Sequence, residues 1–151
     1  MSSVSNPLLR KIYEEDQADR KNLHGESDFK RLSSKDRARR KTLLALLSQG
    51  YVRTAKDFYC ASMLFHHGTS VSDARKAISF AKKGVALGYK KARWLYAAAV
   101  DRLCIKQGKK QKYGTQFFRN FKTGRWKLLP FEGRTSDEER VLWGVPTLQD
   151  T

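Results

Sequence analysis

Four polar blocks in this sequence hold residue types that move protons or hold anions. They are Asp16 with Asp19 and Arg20, His66-His67-Gly68, Asp101-Arg102, and the run Gln111-Lys-Tyr-Gly-Thr-Gln116. Asp101, His67 and Asp16 are the acid–base candidates. An imidazole at a helix C-terminus is stabilised in its charged form by the helix dipole. A carboxylate on an apolar helix face demands a partner, because an unpaired buried charge is costly. Arg20 and Arg102 are the candidate anion clamps. Gln111, Thr115 and Gln116 both donate and accept hydrogen bonds, and Gly114 permits a close backbone approach or an unusual dihedral. If the blocks meet, they form a pocket for an anionic small ligand, phosphorylated ligands included, in which Asp101 or His67 would exchange a proton.

Each block also has a structural reading. Asp16 and Arg20 are spaced as a helical i,i+4 pair, worth only about 0.2–0.5 kcal/mol when exposed. His67 can donate to the last carbonyls of its helix. Asp101 can form a buried pair with Arg20 or Arg102. The run 111–116 can be a polar start to a strand, with Lys109, Lys110 and Lys112 in solvent. Other chemistries find no support. There is no HxxxH, HExxH or CxxC spacing, and adjacent histidines point about 100° apart on a helix, so no metal site is expected. One glycine in a polar run is not a P-loop. No Ser-His-Asp order or GxSxG elbow occurs, and nothing suggests a nicotinamide or flavin site, so no cofactor is expected.

The 151 residues carry 31 Lys/Arg against 15 Asp/Glu, a net charge of +16. Residues 51–127 hold most of the excess, with 18 basic residues against Asp57, Asp73 and Asp101. Such a field draws polyanions. A second function class follows: a nucleic-acid or polyanion-binding module on a stripe of Lys82, Lys83, Lys90, Lys91, Arg93, Lys109, Lys110 and Lys112. A third is a protein-interaction scaffold, which requires an exposed apolar groove. The apolar runs are too short to span a bilayer, so no membrane partner is expected. The N-terminal stretch lacks the basic start and apolar core of a signal peptide. Cys60 and Cys104 read as reduced thiols within helices. A cytoplasmic protein is the expectation.

The elements that must position the four blocks are mainly helical. Asn6-Pro7 caps a first helix reaching about Lys21, with Leu8, Ile12 and Tyr13 inward. Residues 22–32 read as a loop. Ser33 or Ser34 starts a second helix that Gly50 ends. Thr54-Ala-Lys-Asp57 is a capping box for a third, which reaches His67. Ser72 caps a fourth. A fifth starts near Lys90, carries Trp94, Leu95, Ala98, Asp101, Arg102 and Ile105, and stops at Gly108. Short connections make helices three to five antiparallel neighbours. Residues 115–121 and 125–129 then alternate as a hairpin. An isolated hairpin is marginal, so its aromatics are expected to pack on the helices, although QFFRNFKTGRWK could also stack bases between cations. Thr135 or Ser136 caps a short last helix. The expected fold is mainly α, one domain over residues 1–151, with a helical part at 7–110 and a hairpin and short helix at 111–151 packed on it.

Ala61, Leu64, Gly68, Val71, Ala77, Phe80, Gly88, Ala92 and Leu95 fall in the frame A-x2-L-x3-G-x2-V, A-x2-F, G-x3-A-x2-L. That frame resembles the Sel-like repeat, a relative of the tetratricopeptide repeat. One copy is present, so the resemblance implies one antiparallel helix pair within residues 55–107. The wider pattern is Asp16-Gln17 with Arg20, His67-Gly68, Ala92-Arg93-Trp94-Leu95 with Asp101-Arg102, and Gln111 with Gly114-Thr115-Gln116. It is similar to a family of small, mostly bacterial helical proteins of unassigned function. That resemblance implies a shared fold and a shared polar site, without a reaction.

Overall fold

The first helix begins where the sequence supplies a cap. In the computed structural model, which describes residues 4–151, α1 (Pro7–Asp19) opens on Asn6, whose side chain accepts from the Leu9 N–H at 2.9 Å. Residues 1–3 lie outside the described residues, and with them the first part of the N-terminal stretch and of the 1–151 span read above. Leu9, Ile12 and Asp16 form the buried face of α1, while Leu8 is 46% exposed. Ile12 and Asp16 are thus inward as expected, and Leu9 takes the inward place expected for Leu8.

α2 (Glu26–Ser48) starts well before Ser33, so residues 26–32 are helix and not loop. Two features start it early. Gly25 takes an extended conformation, and the Asp28 carboxylate turns back to accept the His24 N–H at 2.9 Å. Glu26 and Asp28 also suit the positive end of the helix. Leu32, Asp36, Arg39, Leu43 and Leu46 are its buried residues, spaced alternately by four and three as one helix face requires.

α3 (Ala55–His66) has the expected Thr54–Asp57 capping box. Asp57 also accepts the N–H of Asn6 at 2.9 Å, which ties the start of α1 to the start of α3. α4 (Val71–Ala86) is capped by Ser70 rather than Ser72. The reason is the acid three residues on: Ser70 has Asp73 to close its box, and Ser72 has Arg75. α5 (Lys91–Lys106) follows after a short turn. α3 packs on α4 and α4 on α5, with α1 and α2 against α3. The core gathers Leu9, Ile12, Leu43, Leu46, Cys60, Ala61, Leu64, Phe65, Ala77 and Ala99. A Cβ on Gly84 would stand 3.1 Å from the Ala92 Cβ and 3.4 Å from the Ala55 carbonyl oxygen, so α3, α4 and α5 meet here without room for a methyl group. Burial pushes the Cys60 thiol up to about 12, which leaves it inert at neutral pH. Trp94 lies 43% exposed rather than inward.

After α5 the chain forms a short antiparallel hairpin, β1 (Phe117–Arg119) with β2 (Trp126–Leu128), pairing Phe117 with Leu128, Phe118 with Lys127 and Arg119 with Trp126. Its aromatics stay largely exposed instead of packing on the helices as expected, apart from the edge contact of Phe121 with Phe29 of α2. Phe117, Phe118, Phe121 and Trp126 are 53%, 58%, 51% and 64% exposed. Other residues anchor the C-terminal segment instead: Tyr113 is buried with Ala97 and Val145, and Trp143 lies on Tyr96 with ring centroids 4.0 Å apart. α6 (Asp137–Leu142), capped by Ser136, and a final 3-10 turn (Leu148–Asp150) complete the mainly helical fold. No helix among the described residues is long and apolar enough to cross a membrane.

Candidate functional site

A cavity of about 600 Å³ lies between the helices and the hairpin. Its helical wall holds Arg20, Lys21, Leu23, Phe29, Leu32, Ser33, Asp36, His67 and Arg102. Its other wall is the hairpin, through Phe117, Phe118, Arg119, Phe121 and Trp126. Three of the sequence-predicted residues, Arg20, His67 and Arg102, therefore face one space.

Behind that wall runs an ionic network. Arg20 donates from Nη1 to Asp16 Oδ1 at 2.7 Å and from Nη2 to Asp36 Oδ2 at 2.6 Å. Arg39 reaches Asp36 Oδ1 at 3.2 Å, bonds Asp19, and stands 3.8 Å from Asp16. Asp16 is wholly buried. The Asp16–Arg20 spacing thus forms the helical pair, but as one edge of a cluster spanning α1, α2 and the end of α3. Asp36 and Arg39 are site residues that the sequence reading passes over, because KDRARRK looks like a solvated face. The signal was their place in the stripe of Leu32, Leu43 and Leu46.

His67 is the C-cap residue of α3, but its side chain does not donate to the last carbonyls of that helix. Its Nδ1 lies 3.0 Å from Asp16 Oδ1, while Arg40 bonds the His67 carbonyl at 3.4 Å. A carboxylate only accepts, so Nδ1 carries the proton and, in the neutral ring, Nε2 keeps a lone pair. Nε2 makes no hydrogen bond among the described residues and is not sealed from solvent. Burial lowers the pKa of His67; the Asp16 hydrogen bond and charge raise it, Arg20 and Arg102 lower it, and the result is below the ordinary value. For Asp16, burial acts to raise the pKa, but the His67 hydrogen bond, its charge and that of Arg20 outweigh this and hold it low. At neutral pH the pair is an anionic carboxylate holding a neutral imidazole. This arrangement can accept a proton at Nε2 from a molecule in the cavity.

The adjacent His66 is buried and its Nδ1 has no partner. Burial foremost, with Arg102, His67, Arg20 and Lys106 behind it, drives its pKa well below 6.5. The consequence for stability has a definite sign. The unfolded chain takes up a proton near pH 6.5 that the folded chain refuses, so stability is full above that pH and is lost as pH falls below it. The slope approaches about 1.4 kcal/mol per pH unit for each such histidine. Urea unfolding between about pH 7.5 and about pH 5.5 should show this decline, and His66→Gln should flatten most of it. A flat wild-type profile over that window would contradict the assignment.

Asp101, Gln111, Thr115 and Gln116 also come together, with one another. Asp101 is wholly buried. Its Oδ1 accepts the N–H groups of Lys112 and Tyr113, both at 2.7 Å. Its Oδ2 accepts the N–H and hydroxyl of Thr115 at 2.9 and 2.7 Å. Gly114, at φ +84°, turns the backbone so that donors on both sides of it reach one carboxylate. The partner that Asp101 requires is therefore this backbone, not Arg20 or Arg102. Gln111 is equally occupied: Oε1 accepts the Gln116 N–H at 2.9 Å, and Nε2 donates to the carbonyls of Gln116 and Leu129 at 3.0 and 2.7 Å. The Gln116 amide donates to Thr115 Oγ1 at 3.1 Å. This group fixes the root of the hairpin, and the next residues, Phe117 and Phe118, line the cavity.

The expected basic surface is divided. Lys82, Lys83, Lys90, Lys91, Lys109 and Lys110 are exposed. Lys83 lies over Phe58 and Phe80, at 5.5 and 5.4 Å from the ring centroids. Lys112 pairs with Glu139 at 3.1 Å, and Arg93 has a buried Nε without a partner. Among the described residues no group of three or more His, Cys, Asp or Glu is placed to hold a metal ion. No family model matches the chain, and comparison with curated proteins and with solved structures gives no match either.

Proposed function

We propose that the cavity binds an anionic small ligand, with Arg102 as its anchor and His67 as the proton-exchanging group beside it. One observation carries this reading. Arg102 is partly buried at the cavity wall and has no hydrogen bond or ion pair among the described residues. Arg20 and Arg39 beside it are saturated by carboxylates. Burial, then Arg20, lower the pKa of Arg102, while Asp36 acts to raise it; even so a guanidinium stays charged at any ordinary pH. A partly desolvated, unmatched cation at the wall of a cavity favours an anion, and the net charge of +16 steers anions toward the protein.

Isothermal titration with inorganic phosphate and with sugar phosphates at low salt tests the reading. Arg102→Ala should weaken binding about tenfold or more, as loss of a charge-assisted hydrogen bond does. It should lower the melting temperature of the free protein only slightly, since packing of the arginine stem is lost but no side-chain hydrogen bond or ion pair. Equal affinities for wild type and variant, or no anion binding by either, would defeat the proposal. The polyanion reading draws on the exposed lysines of α4, α5 and the segment after them, and its mark would be a steep fall of nucleic-acid binding with salt.

A further inference from the structure

Resting on the reading of the Arg102 cavity, we infer that the anion it takes also carries an aromatic ring, and that a nucleotide is the ligand class that fits. The hairpin wall supplies the argument. Phe121 and Trp126 line the cavity yet remain 51% and 64% exposed. Large aromatics on a hairpin of three residue pairs contribute little to stability while in water. On the face shared by Arg119 and its cross-strand partner Trp126, the Arg119 guanidinium lies 5.5 Å from the Trp126 ring and 5.4 Å from that of Phe121. Phe29, from α2, meets Phe121 edge-on at 5.2 Å, joining this ladder to the helical wall. Rings alternating with a guanidinium form a surface on which bases stack. Across the cavity stands the unmatched Arg102, and the volume of about 600 Å³ suits one small molecule with both a ring and a phosphate.

The test compares adenosine monophosphate, uridine monophosphate, ribose 5-phosphate and inorganic phosphate by isothermal titration on the full chain. Both nucleotides should bind about tenfold tighter than ribose 5-phosphate, the increment expected of one stacked base. A Phe121→Ala/Trp126→Ala double variant should lose that difference and keep the sugar-phosphate affinity; both residues are more than half exposed, so folding is retained, and circular dichroism checks it. Arg102→Ala should weaken all four. Equal binding of nucleotides and ribose 5-phosphate would overturn the ring and leave the anion site standing. No binding of any probe would remove both readings. Tight binding of a single-stranded oligonucleotide that survives Arg102→Ala would move recognition to the lysine surface and overturn the cavity assignment.

Discussion

Asp101→Ala is expected to cost about 3–5 kcal/mol, the range found when one partner is removed from a buried charged contact. The side chain is wholly buried and takes four donors at 2.7–2.9 Å, three of them backbone N–H groups of Lys112, Tyr113 and Thr115. Alanine leaves these donors facing a space that water reaches poorly, and each unsatisfied group costs about 1–3 kcal/mol. The loss is local in origin. It frees the segment after α5, and with it Tyr113 and the root of the hairpin. Asp101→Asn is expected to recover only part of the stability, because its NH2 group points a donor at donors. Urea unfolding followed by far-ultraviolet circular dichroism measures the loss, and hydrogen exchange locates it. A change under about 1 kcal/mol for Asp101→Ala would show that the four contacts do not hold the segment.

Arg39→Ala should destabilise the fold by a similar amount, about 3–5 kcal/mol, for a different reason. Arg39 is 7% exposed and bridges Asp36 of its own helix to Asp19 of α1, with Asp16 at 3.8 Å. Without it, Asp16 and Asp36 share Arg20 alone and Asp19 keeps only Lys35 at 3.5 Å, so the carboxylates between α1 and α2 are left under-neutralised. Arg39→Lys keeps the charge but cannot fork to two carboxylates, so it should fall between wild type and alanine. If the charge balance is the cause, Asp19→Asn combined with Arg39→Ala should cost less than Arg39→Ala alone, a coupling that a double-mutant cycle in urea measures. Additive losses would instead assign the effect to packing of the arginine stem.

The helices are readable from the chain because their signals are local. Asn6-Pro7 and the Thr54–Asp57 box need only neighbours along the sequence, and both stand where expected. The start of α2 and the Ser70 cap differ from expectation through local contacts, and the other errors arise where a partner far along the chain decides. Leu9 rather than Leu8 turns inward because α1 packs on α3, and no local spacing separates the two leucines. Asp36 and Arg39 are buried because Arg20 and Asp19, from α1 and its C-terminal end, match their charges. The polar blocks divide by the same logic. Asp101 finds its donors ten to fifteen residues downstream, within the very run singled out as a candidate site, while Asp16 finds His67 across the core. The hairpin aromatics show the limit of composition: aromatic content points to burial, whereas these side chains stay at the surface beside a cavity.

The Gln111 side chain grips the carbonyls of Gln116 and Leu129, the residues just outside the two strands. Its own backbone bonds Pro130 and Glu132. One amide therefore acts as the pin of a hinge. Below it the chain is locked to α5; above it a flap of some dozen residues is held by three residue pairs and a single ring contact with Phe29. A ligand bound as proposed would enter without the helices parting, because few contacts hold the flap above that pin. The proposed site would then join a helical wall bearing Arg102 and His67 to an aromatic wall carried by the flap.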